Sequence, residues 1–149
     1  MFNSVYKDKT VLVTGDTGFK GSWLAIWLKE LGANVIGYSL NPGTEEDNYV
    51  VCGLAEKITH IDGDIREQHS LKSVFDKYKP DIIFHLAAQS LVLESYNDPV
   101  ETYSTNVMGT VNILEVIRYI DSVKVAVIIT TDKCYENRES EYRYRETDR

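Results

Sequence analysis

The sequence predicts an α/β domain: an open parallel sheet of about five strands, doubly wound by helices on both faces, in strand order 3-2-1-4-5. Three observations lead there. Short β-branched apolar runs recur along the chain, as buried parallel strands require. Apolar residues at three-to-four spacing stand between those runs, and a glycine-rich joint ties the first run to the first such pattern.

TVLVT at 10–14 is the first strand. The helix after it carries Phe19, Trp23, Leu24, Trp27, Leu28 and Leu31 as its predicted buried stripe, and Gly32 supplies the left-handed residue that ends it. NVIGY at 34–38 is the second strand, followed by the polar loop NPGTEEDN at 41–48 and a short helical turn within 49–57. Residues 58–61 form the third strand. Leu71, Val74, Phe75 and Tyr78 mark a helix that stops before Lys79-Pro80. DIIFHL at 81–86 is the fourth strand. Asp98-Pro99 opens a helix, with aspartate as N-cap and proline in the first turn, whose one face carries Val100, Tyr103, Val107, Val111 and Leu114. VKVAVII at 123–129 is the fifth strand, and from residue 132 the charged, tyrosine-rich text has no period and reads as loop.

The 149 residues make one domain, with 43% hydrophobic and 26% charged side chains. A net charge of −7 argues against a sequence-independent nucleic-acid binder, which needs a basic face. No run reaches the length of a membrane span or a signal peptide, so the expected address is cytoplasmic. Cys52 and Cys134 read as structural thiols. His60, His69 and His85 are not at metal spacing, so no metal is expected, and His85 at a strand end reads as structural.

Chemistry in such a fold lies just beyond the carboxyl ends of the strands. There Gly15, Gly18 and Gly21 stand three residues apart between strand and helix. The first permits a tight turn, the second lets backbone amides approach a pyrophosphate, and the third allows close helix packing. The helix N-terminus adds partial positive charge. Thr17, Phe19 and Lys20 complete this cofactor-binding turn. Lys20 opposes the helix dipole, so it faces the pyrophosphate, pairs with an acid such as Asp16, or points into solvent. Ser39 occupies the place after the second strand where an acid usually meets the adenosine ribose. No arginine stands there for a 2′-phosphate, which favours NAD.

The glycine spacing, Gly63-Asp64-Ile65, His85-Leu86-Ala87-Ala88-Gln89 and Thr105-Asn106-Val107-Met108-Gly109-Thr110 resemble the extended short-chain dehydrogenase/reductase superfamily, a Rossmann-like fold. That resemblance implies that Asp64 and Ile65 hold the adenine. It implies that Leu86, Ala87, Ala88 and Thr105 line the cofactor near the nicotinamide, and that Gln89 and Asn106 face the substrate. TGFKGSWLAIWL, AAQSLVLESYNDPVETYSTNVMGTVNILE and TDKCYENRE are similar to the CDP-glucose 4,6-dehydratase family across nearly the whole chain. Asp16 stands where that family usually has histidine, Ser90 replaces a proline, and Leu93 replaces a basic residue.

What this resemblance implies is an internal redox cycle on a CDP-glucose substrate: NAD accepts hydride from C4, water leaves across C5 and C6, and the hydride returns to C6. Thr131 would orient the 4-hydroxyl, Asp132 would protonate the departing oxygen, and Lys133 would stand at the place of the C5 base. Those roles ask for a raised Asp132 pKa and a depressed Lys133 pKa, with both residues in a loop and not on a strand. Rival readings are an epimerase or reductase of the same superfamily, a non-catalytic NAD-binding module, and an FMN binder, the last disfavoured because its phosphate loop is normally hydroxyl-rich. The superfamily's Tyr-x-x-x-Lys pair is missing after the fifth strand. The expectation is therefore a truncated NAD-binding domain over 1–149 without its C-terminal substrate domain, inactive alone. Its helix face from Val100 to Leu114 would favour a homo-oligomer.

Overall fold

A computed structural model describes residues 2–131, 133–139 and 141–149. Five strands form one parallel sheet in the order β3-β2-β1-β4-β5: β1 Thr10–Thr14, β2 Asn34–Ser39, β3 Thr59–Asp62, β4 Ile82–His85 and β5 Val125–Ile128. The central register sets Leu12 beside Ile36 on one side and Ile83 on the other. The predicted order holds, and the strand ends shift for local reasons. Asp81 lies outside β4 because its carboxylate accepts from the Thr10 N–H (3.0 Å). Ile58 lies outside β3 because its N–H donates to the Leu54 carbonyl (3.1 Å), closing the 3-10 turn Leu54–Glu56.

Alternation along β1 divides the core into two layers. Leu12, with Ile36, Tyr38 and Ile83, packs against α3 (Gln68–Tyr78) and the later helix Gly109–Ile117 through Leu71, Phe75 and Ile113. Val11, Val13 and Val35 face the opposite layer, where Ala25 and Leu28 of α1 (Phe19–Glu30) and Tyr49 of α2 (Asn48–Val51) cover them. The face predicted for α3 is the one buried, with Tyr78 partly covered.

The stripe predicted for α1 needs correction. Phe19, Trp23 and Trp27 are 76%, 54% and 49% exposed, and the residues pressed on the sheet are Gly21, Ser22, Ala25 and Leu28. The helix must come within touching distance of β1 to start immediately after the glycine turn, and only small side chains leave room for that. Gly32 does take the left-handed conformation, at φ +86°.

Between β4 and β5 the chain forms α4 (Val92–Asn97), not foreseen in the sequence, then α5 (Pro99–Tyr103), a π-helical turn Ser104–Met108, and α6 (Gly109–Ile117). Asp98 caps α5 as expected, its side chain accepting from the Glu101 N–H (2.8 Å). The single helix expected from Pro99 is thus interrupted by a wider turn. Residues 133–149 hold no helix or strand among those described; Tyr135 stacks on Tyr144 with ring centroids 4.9 Å apart. Cys52 donates to Asn48 Oδ1 (3.3 Å), whereas Cys134 is exposed, not packed as a structural thiol. No described helix is long and apolar enough to cross a membrane.

Candidate functional site

A cleft of about 670 Å³ opens at the carboxyl ends of β1, β2 and β4, a volume suited to a small-molecule or cofactor ligand. One wall is the glycine turn. Gly15 has φ +74°, and a Cβ added there would stand 2.9 Å from the Ala87 nitrogen. A Cβ on Gly21 would lie 1.9 Å from the Gly15 carbonyl oxygen, so the first turn of α1 sits directly on the bend. Gly18 caps α1 with no side-chain bond, leaving the first helical N–H groups without an intrahelical partner beside the cleft. Thr17, Phe19 and Lys20 complete this wall. Bare backbone, free amide donors and a helix N-terminus suit a pyrophosphate-bearing group.

Lys20 is exposed and lines the cleft. It does not pair with Asp16, which is fully buried and engaged by Ser39 and His60. Asp16 Oδ1 accepts from Ser39 Oγ (2.9 Å), and Oδ2 accepts from His60 Nδ1 (2.8 Å). That contact holds the His60 pKa above its ordinary value, against the opposing pull of burial. Ser39 also meets Thr17 Oγ1 at 2.9 Å, while the Thr17 hydroxyl donates to the Leu40 carbonyl (2.9 Å). The end of β2 is in this way laced to the glycine turn.

The second wall follows β3. Tyr38 Oη donates to the Asp64 carbonyl (2.9 Å), and Asn112 of α6 donates to the carbonyls of Ile65 (3.1 Å) and Arg66 (3.0 Å). Gly63 is needed here because a Cβ would fall 2.3 Å from the Tyr38 ring. The Asp64 carboxylate accepts from the Arg66 N–H (2.8 Å) and Nε (2.9 Å), which lowers its pKa. Arg66 in turn pairs with Glu101 of α5, so a charged strap joins two rims of the cleft.

The third wall leaves β4 at His85, a residue buried in a hydrogen-bonded chain whose proton directions can be assigned. Thr14 Oγ1 accepts from the N–H groups of Leu86 (3.1 Å) and Ala87 (3.2 Å), so its own proton goes to His85 Nδ1 (2.7 Å). His85 Nε2–H then donates to Thr110 Oγ1 (3.2 Å), and Thr110 donates to the Asn106 carbonyl (2.7 Å). This chain needs a neutral imidazole, and burial pushes the His85 pKa down to about 4. Leu86, Ala87 and Ala88 line the cleft, joined by Thr105 from the π turn.

Asn106 does not line the cleft. Its Oδ1 accepts from the Gln89 N–H (2.8 Å) and its Nδ2 donates to the Gln89 carbonyl (2.9 Å), gripping the loop as a neighbouring strand would. The Gln89 amide is likewise engaged locally, with Nε2 donating to Thr102 Oγ1 (3.0 Å). Both predicted substrate residues therefore shape the wall in this structure.

All the cofactor residues predicted from the sequence border this one cleft, Ser39, Asp64 and Ile65 included. The catalytic trio is less gathered. Thr130 and Ile129 reach the cleft, whereas Thr131 lies just past it and accepts from the Lys133 N–H through Oγ1 (3.0 Å). Thr131 and Lys133 stand beyond the end of β5; of the two residues required to lie in a loop, Lys133 does, and Asp132 lies outside the described residues. Sequence reasoning missed Arg66 and Glu101, although an arginine two residues after Asp64 was a readable signal. It also missed the burial of Asp16 and its contact with His60.

The profile of the family described as GDP-mannose 4,6 dehydratase matches residues 12–149. A CDP-glucose 4,6-dehydratase from Salmonella typhimurium is 48% identical over 143 residues, 96% of this chain and 40% of the relative. An epimerase structure from Methanothermobacter thermautotrophicus superposes with a TM-score of 0.81 at 32% identity, covering 97% of this chain and 42% of the other. A UDP-glucose 4-epimerase from Brucella ovis in complex with NAD gives 0.67 at 33% identity, over 78% and 34%. The chain thus spans about two-fifths of the curated relative's length.

Proposed function

The chain belongs to the GDP-mannose 4,6 dehydratase family, and from that membership we propose that it is the dinucleotide-binding portion, over 1–149, of an NAD-dependent nucleotide-sugar 4,6-dehydratase acting on CDP-glucose. The observation that carries the cofactor assignment is the Gly15–Gly21 bend, where backbone passes too closely for a Cβ at Gly15 or Gly21 and the open end of α1 faces the cleft. The substrate rests on the 48% identical CDP-glucose relative.

NAD bound in the cleft supplies the hydride acceptor and later the hydride donor for a reaction that is redox-neutral overall. The chain's own residues bind and orient. The glycine bend offers amide donors to the pyrophosphate, with Lys20 adding positive charge where the α1 dipole already favours anions. Asp64 and Ile65, fixed by Tyr38 and Asn112, form the adenine end. The His85 chain keeps Leu86 and Ala87 against the bend, where they would hold the nicotinamide end of a bound cofactor. Beyond β5, Thr131 orients the sugar 4-hydroxyl, Asp132 protonates the leaving oxygen and Lys133 takes the C5 proton.

Free thiols at Cys52 and Cys134 accord with a reducing compartment, and the cytoplasm is the proposed site. The exposed apolar face of Val100, Tyr103, Val107, Val111 and Leu114 is proposed to bury itself in a homo-oligomer. Calorimetry with NAD on this chain tests the cofactor, and turnover of CDP-glucose by a protein that joins this portion to a substrate domain tests the substrate. Saturable NAD binding is expected; a fold that binds no NAD, or that turns over another nucleotide sugar in preference, would refute the corresponding part.

A further inference from the structure

The second strand ends in Ser39, Leu40 and Asn41, without the acid that commonly accepts bonds from an adenosine ribose. An acid nevertheless reaches the same corner from the other side. Asp16 turns its carboxylate under the bend into space that exists only because residue 37 is glycine: a Cβ there would stand 2.0 Å from Asp16 Oδ2. The carboxylate is 0% exposed and takes the Ser39 hydroxyl proton at 2.9 Å, while Ser39, 7% exposed, still borders the cleft. A glycine inside a strand, a buried acid, and a hydroxyl aimed between acid and cleft form one device.

We propose that Asp16, acting through Ser39, is the residue that selects a dinucleotide with a free ribose 2′-hydroxyl over one carrying a 2′-phosphate. The inference rests on the reading of the cleft as a nicotinamide dinucleotide site. With its proton committed to Asp16 and one lone pair turned to the Thr17 N–H (3.4 Å), Ser39 Oγ keeps one acceptor position beside the cleft, to which a ribose hydroxyl can donate. A dianionic 2′-phosphate has no proton to donate and meets, one hydroxyl away, a buried negative charge poorly screened by solvent. His60 contacts the far oxygen of the same carboxylate (2.8 Å), with the Tyr49 ring 5.3 Å from its own and Asp62 on the same strand. The raised His60 pKa itself depends on this carboxylate, so the comparison is made at a pH above it, where His60 is neutral and replacing Asp16 by asparagine removes one negative charge from this corner and keeps its shape.

The test compares NAD and NADP affinity by calorimetry in the parent chain, Asp16→Asn and Ser39→Ala, with thermal unfolding to check folding. Asp16→Asn is expected to shift the affinity ratio toward NADP by roughly tenfold, chiefly by tightening NADP. Ser39→Ala is expected to weaken NAD by about fivefold and leave NADP no better, because the carboxylate remains. An unchanged ratio in whichever variant folds, or an equal loss for both ligands, would overturn the proposal and leave the cofactor assignment standing. Failure of the parent chain to bind either dinucleotide would overturn both.

Discussion

Two histidines give the stability of this domain opposite pH slopes. His60 gains a proton-favouring partner on folding, so its folded pKa is raised. The stabilisation is fully present below the unfolded value of about 6.5 and is lost as pH rises through the folded value. His85 is the reverse: with a folded pKa of about 4, it must stay neutral to be buried. Stability falls as pH drops from about 6.5 toward that value, since the unfolded chain then binds the proton better. Urea unfolding from about pH 4 to about pH 9 should show a maximum between these limbs. His60→Gln should flatten the alkaline limb alone, and an unaltered limb would remove Asp16–His60 from the account. Gly21→Ala is expected to cost about 1–3 kcal/mol, more if the bend cannot yield, because its Cβ meets a backbone oxygen and not a flexible side chain. Equal unfolding midpoints for Gly21→Ala and the parent would contradict the close packing of bend and helix.

At the scale of elements, the π turn Ser104–Met108 does what an uninterrupted helix could not. It brings Thr105 to the cleft while Asn106 clamps Gln89. Gly109 follows it because a Cβ there would meet Ile65 Cγ2 at 2.6 Å, which keeps α6 close to the loop after β3. The outer face of the same segment is apolar and exposed at Val111 and Leu114. Replacing both with glutamate should lower the apparent mass in light scattering at high concentration and leave the unfolding midpoint nearly unchanged. A parent chain that stays monomeric would contradict the proposed association.

Strands and the glycine bend were legible because each depends on local chemistry: β-branched runs suit a buried sheet, and three glycines at one spacing mark a backbone crossing. The packing of α1 was not legible. Its large aromatics dominate the helical pattern, yet the demand for closeness at Gly21, Ser22 and Ala25 comes from the sheet beneath. In the sequence Asp16 figures as a possible partner for Lys20, and only the pairing of β1 with β2 reveals that Gly37 leaves it a seat. The π turn was hidden for the same reason, since the periodicity of Val100, Tyr103 and Val107 continues through it unbroken.

Across the whole molecule, two core layers hold one sheet whose carboxyl edge gathers the bend, the Asp64 loop and the β4 exit into a single cleft. The central claim is that this cleft is an NAD site. The most direct measurement is isothermal calorimetry of NAD against the folded parent chain and against Gly18→Val. The account predicts saturable one-site binding in the parent and its loss in a variant that remains folded, because a branched side chain would stand where backbone must approach the pyrophosphate. Absence of binding by the folded parent, or undiminished binding by the folded variant, would contradict it.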